Sequence, residues 1–158
     1  MYPYTVHLSS ILHLANILPP PHDLSLAIVK LLSHKTYRFY QSQIATLSLF
    51  PSLHLKFLPP AWNAPTPPTP GKEVTDEEGK EKKEWKRRIK MYLGPAVEAF
   101  GFQRIIFGSA PSTSSSSSSN AADWYEIARE SFAELGVEQV DVDNVFGGNA
   151  VRVYGKES

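Results

Sequence analysis

The sequence predicts an α/β fold built on a parallel sheet. Two observations carry this: short apolar runs recur along the chain, and amphipathic helical patterns separate them. A third bounds it: 158 residues leave room for one ordinary domain, and the runs amount to about three strands.

Val6 to Leu18 is rich in Leu and Ile and ends at Pro19-Pro20-Pro21, which predicts a short buried strand and then a loop. Asp23 suits the cap of a helix beginning near Leu24, with Leu24, Ile28, Leu31 and Leu32 on one face. Tyr37, Tyr40, Ile44 and Leu47 recur at helical spacing, and Pro51 stops that pattern. Ser52 to Phe57 alternates, so Leu53, Leu55 and Phe57 point one way and His54 and Lys56 the other. Residues 59–83 are rich in proline and then in mixed charge. They are expected to form a flexible excursion from the core, with Trp62 covering a pocket mouth or, as the simpler reading, serving as a surface anchor. Trp85, Ile89, Leu93, Val97 and Phe100 make the clearest helical stripe. Pro95 should kink or restart that helix, and Gly101 should cap it. "RIIFG" (Arg104 to Gly108) reads as a strand buried on both faces. Residues 112–120 form a serine-rich flexible loop. A helix then carries Trp124, Ile127, Ala128, Ser131 and Leu135 and ends at Gly136. Asp141 can cap a short turn, Gly147-Gly148 should break it, and Asn149 can cap a last helix.

The composition excludes several function classes. Lys plus Arg and Asp plus Glu balance at 16 each, so bulk charge points to neither nucleic acid nor a membrane surface. The absence of cysteine excludes a disulfide framework, a thiolate nucleophile and a Cys-based zinc site. The first residues lack a basic n-region and no run reaches the ~20 apolar residues of a membrane helix, which sets the expectation of a cytoplasmic protein. Glycine-rich phosphate loops, a G-x-S-x-G elbow and H-E-x-x-H are all missing. The five histidines are scattered, and only His13 sits at the end of a predicted strand.

Three motifs then converge. "RIIFGSAP" (Arg104 to Pro111) is similar to the last barrel strand of the amidohydrolase-related (amidohydrolase 2) family, which typically reads as an apolar run and F-G-S-D-x-P. "VFGGNAVRVYG" (Val145 to Gly155) resembles that family's closing G-x-N-A-x-x-x-Y/F-G. "VEAFGFQRIIFGS" resembles its FG-x-x-R pattern before the same strand. Two looser likenesses lie upstream. "YQSQIATLSLFPSLHLKF" places Lys56 at the lysine of a family strand, and "LHLANILPP" places His13 at a D-H-L strand end.

The resemblance implies the C-terminal part of a metal-dependent hydrolase: a partial TIM-barrel-like (β/α) segment, not a complete barrel. A complete barrel takes ~250 residues and eight strands. It implies a divalent metal, zinc or manganese, that activates water. It also implies a small organic acid or lactone-like substrate. His13, Lys56 and Ser109 would face substrate or metal. The chain departs from the pattern at Ala110, which stands where the family has its catalytic Asp, at Leu12 before His13, and in lacking a first-strand H-x-H. Alanine neither ligates nor takes a proton. The chain is therefore expected to be a member or fragment of such a hydrolase that binds no metal and is inactive by itself. A non-catalytic α/β interaction module or an unstable truncated product is the alternative. A partner or oligomer is expected to cover exposed sheet edges.

Overall fold

The computed structural model describes residues 11–13, 26–60, 62, 64–68, 76–109 and 120–155, with 11–13 and 76–78 as backbone. Strands β1 (Ile11–His13), β2 (His54–Phe57) and β3 (Ile105–Phe107) pair in parallel in that order. Helices α1 (Ile28–Ser33) and α2 (Lys35–Leu47) cross from β1 to β2, and α3 (Asp76–Phe100) crosses from β2 to β3. Helix α4 (Ala121–Ala133) follows β3, then α5 (Gln139–Asp143), a π-helical turn (Asn144–Gly148) and α6 (Asn149–Tyr154). Among the described residues the sheet is open, so it forms a (β/α) layer and not a closed barrel.

The spacing rules place the core. Leu55, Phe57 and Ile105 turn one face of the sheet to the helices, where Trp85, Ile89, Leu93, Trp124 and Ile127 meet them. Tyr37, Tyr40 and Ile44 are buried as their periodicity requires. Ile105 and Ile106 are both buried, as expected for a strand covered on both faces. Asn120 caps α4, its side-chain oxygen accepting from the Ala122 amide at 2.8 Å. Gly101 and Gly136 end their helices at φ +69° and +74°, the left-handed region in which glycine is favoured.

The stretch set apart as an excursion is divided. Leu58, Pro59, Pro60 and Thr66 are buried. Trp62 is 2% exposed, its ring centroid 4.7 Å from that of Trp85, so it is a core residue and not a surface anchor. Proline suits this role because a segment without regular hydrogen bonds can still bury apolar surface. The charged part is helical from Asp76 onward. The serine-rich residues 112–119 lie outside the described residues.

Pro95 neither breaks nor restarts α3, which runs through it. A proline has no N–H, so the Met91 carbonyl four residues earlier loses its helical donor. The Tyr37 hydroxyl donates to that carbonyl at 2.8 Å. One residue on, the Tyr40 hydroxyl donates to the Tyr92 carbonyl at 2.7 Å. The Tyr92 ring stands edge-on to Tyr37 and Tyr40, centroids 5.6 and 5.2 Å away. The proline thus creates the acceptor through which α2 docks on α3. The opposite flank of α3 carries a charge ladder: Lys82 to Glu126 and Glu130, Lys86 to Glu130 and Glu134, and Lys90 to Glu134. The four-residue steps match because α3 and α4 run side by side in the same direction.

Gly147-Gly148 likewise does not break the chain. It passes through the π-helical turn into α6 without leaving helical geometry. Asn149 is no cap. Its buried side-chain amide donates to the Phe102 and Ile105 carbonyls at 2.6 and 2.8 Å.

Removing the Tyr37 hydroxyl (Tyr37→Phe) should cost about 1 kcal/mol in chemical denaturation, the usual net worth of such a bond. The loss should shrink in a Pro95→Ala background, where the new amide can donate to Met91. Additive losses in the double-mutant cycle would refute the proline–tyrosine coupling.

The pH response has two limbs. Burial raises the Tyr37 and Tyr40 hydroxyls above the usual tyrosine range and pushes Tyr92 up to about 12. Between the unfolded value near 10 and the folded values, the folded chain holds more protons, so stability should fall as pH rises through that window. Hydrogen bonds and charge from Lys82, Lys86 and Lys90 outweigh burial and hold Glu130 and Glu134 below the usual carboxylate range. Their contribution should be present above pH ~4.5 and be lost as pH falls through the folded values. Denaturation midpoints measured across pH check both limbs.

Candidate functional site

In a parallel α/β sheet the carboxyl ends of the strands are where ligands are placed. His13 is the last residue of β1 and is in register with Lys56 of β2, which is in register with Ile106 of β3. Ser109 is exposed and lies two residues beyond the end of β3. The structure therefore brings His13 and Lys56 onto one line across the sheet, with Ser109 beyond the end of the neighbouring strand. Ala110 lies outside the described residues.

Lys56 is half-buried, and its Nζ stands 5.4 Å from the centroid of the Tyr154 ring. This is a cation–π contact, which steadies the ammonium while leaving its remaining hydrogens for an acceptor. Local sequence pattern does not mark Tyr154 as a residue of the strand ends. The available signal was its place in the closing "VRVYG", since that segment and the "HLKF" strand carry the two halves of the pair.

Gly108 positions this lysine. Its amide donates to the Phe57 carbonyl at 2.9 Å, and its carbonyl accepts from the Trp124 indole N–H at 3.0 Å. A β-carbon built there would overlap a Leu58 methyl and stand 3.4 Å from Lys56 Cε. Glycine there leaves the Leu58 methyl and the lysine stem in place, where a side chain would have to displace Leu58.

The other motif residues serve the backbone. The Arg104 guanidinium donates to the carbonyls of Phe100, Phe50 and Ser48 at 3.2, 2.9 and 3.1 Å, and lies over the Phe100 ring. It ties the ends of α2 and α3 to the start of β3. Asn149 accepts from Arg152 at 2.8 Å while donating to Phe102 and Ile105, which anchors α6 beside β3.

The arrangement offers a held cation, not a metal cradle. Among the described residues no three His, Cys, Asp or Glu side chains converge as metal donors. Zinc sites take three or four such donors, and an ammonium at the lysine's position opposes a second cation. The described residues therefore do not fit a divalent metal. A small apolar cavity of about 10 Å³ lies between Phe57, Trp62, Tyr92 and Trp124. It is a packing gap of about one water and too small for a substrate.

These features define an open parallel (β/α) layer. The chain is similar in structure to an amidohydrolase from Burkholderia multivorans crystallised with bound zinc, with a TM-score of 0.55 and 17% identity. The match covers 91% of this chain and 43% of that chain, so this chain spans less than half of its structural neighbour. No family model and no curated protein matches the sequence.

Replacing Gly108 with valine should destabilise the protein by about 1–3 kcal/mol, through overpacking against Leu58 and the Lys56 stem. A thermal melt within error of the parent would refute the close approach.

Proposed function

We propose that this chain is an amidohydrolase-type segment whose parent chemistry is metal-dependent hydrolysis of a small organic acid or lactone-like substrate, and that the chain itself does not catalyse that reaction. The observation that carries the reading is the carboxyl end of the parallel sheet. There the fold shared with a zinc amidohydrolase presents Lys56 over Tyr154. The sequence, meanwhile, has Ala110 in the place of the expected carboxylate. A lysine there suits an anionic group, because an ammonium gains from a carboxylate partner. What persists is an anion-compatible position without the hydrolytic groups.

Calorimetric titration of the purified chain with zinc or manganese should show no stoichiometric tight binding. Tight one-to-one binding, with activity on lactones or carboxylated substrates that depends on the added metal, would overturn this reading.

A further inference from the structure

The helical layer has two ends of opposite character. Each helix packs on the next in the order α1, α2, α3, α4, α5, so α1–α2 stands at one end and α5 at the other. Residues 26–50 contain no Asp or Glu but hold Lys30, His34, Lys35 and Arg38. Their exposed apolar side chains include Val29, Leu32 and Phe39, at 78%, 50% and 61% exposure. Lys35, Arg38 and Phe39 share the face of α2 opposite its buried Tyr37, Tyr40 and Ile44. Around α5 the charge reverses: Glu138, Asp141 and Asp143 occur with no basic residue between them, beside Val140 at 58% exposure. Asp143 pairs with Arg129, whereas Glu138 and Asp141 form no ion pair among the described residues.

We propose that two copies of this chain associate head to tail as a closed two-fold pair, the basic α1–α2 end of each against the acidic α5 end of the other. Charge complementarity selects the occupant. An anionic lipid surface would engage the basic end but repel the acidic one. A second copy satisfies both ends at once and covers Val29, Leu32, Phe39 and Val140. Among the described residues β1 and β3 each have one strand neighbour, so both edges of the sheet are open to a second copy. Two-fold symmetry closes such a pair, because each end meets the other kind of end twice. The inference rests on the fold and the charge distribution, so it stands or falls separately from the missing chemistry.

The test is analytical ultracentrifugation of the chain at tens of micromolar. The expected species has twice the 17.6 kDa chain mass, with an apparent dissociation constant that rises at least tenfold between ~50 and ~500 mM salt. The variant Lys35→Glu, Arg38→Glu should be monomeric with an unchanged circular dichroism spectrum, and so should Glu138→Lys, Asp141→Lys. Mixed together, the two variants should form a dimer, since each interface then regains opposite charges. A parent chain that stays monomeric at low salt overturns the proposal. So does mass growing beyond the dimer, a dimer that survives either charge reversal, or variants that stay apart on mixing. Sedimentation with vesicles containing phosphatidylserine decides the lipid alternative. Vesicle binding without self-association likewise overturns the proposal.

Discussion

Two tyrosine hydroxyls reach across from α2 to carbonyls on α3, and one of those carbonyls is available because Pro95 cannot donate to it. Much of the architecture depends on this contact. Helix α3 is the middle of the helical layer, held to α2 by the tyrosines and to α4 by the lysine–glutamate ladder. The two fastenings differ in kind. The tyrosine bonds are largely shielded from water, so losing a hydroxyl leaves its carbonyl acceptor unsatisfied. The ladder is half-exposed, so its worth depends on salt and pH. A central helix with one buried and one solvated fastening keeps the crossover between β2 and β3 fixed, and with it the spacing of the strand ends.

At those strand ends, the residues that carry the family likeness prove to be backbone ties more than chemical groups. Arg104 gathers three carbonyls, Asn149 two, and Gly108 lets β3 terminate against the Lys56 stem. Such residues answer to the geometry of a barrel segment. They are separable from the donors that hold a metal, since a carbonyl clamp works whether or not a carboxylate follows the strand. A fold tied in this way is independent of which side chain follows the strand.

Much of the layout was legible in the residues. The burial of Tyr37, Tyr40, Trp85, Ile89, Leu93, Trp124 and Ile127 follows from helical periodicity, and that of Leu55 and Phe57 from alternation. Local pattern misled where tertiary contacts outweighed it. Pro95 reads as a breaker until a distant hydroxyl serves the orphaned carbonyl. Gly147-Gly148 reads as a stop, yet the turn is held by packing around Val145 and Asn149, both buried. Trp62 reads as a surface residue within a proline-rich stretch, yet its ring is buried against Trp85. For the site, His13 and Lys56 were legible as strand-end residues. The contact between Lys56 and Tyr154 was not, because it joins positions about a hundred residues apart.

The sequence by itself determined which residues are apolar at which period, hence the α/β alternation, the helix faces, the absence of cysteine chemistry and the alanine at residue 110. These depend only on neighbours along the chain. The tertiary structure alone decided the strand register that sets His13 beside Lys56, the tyrosine clasp on α3 and the placing of basic and acidic helices at opposite ends of one layer. Each depends on groups far apart in the chain, and no local propensity encodes which distant donor meets which acceptor.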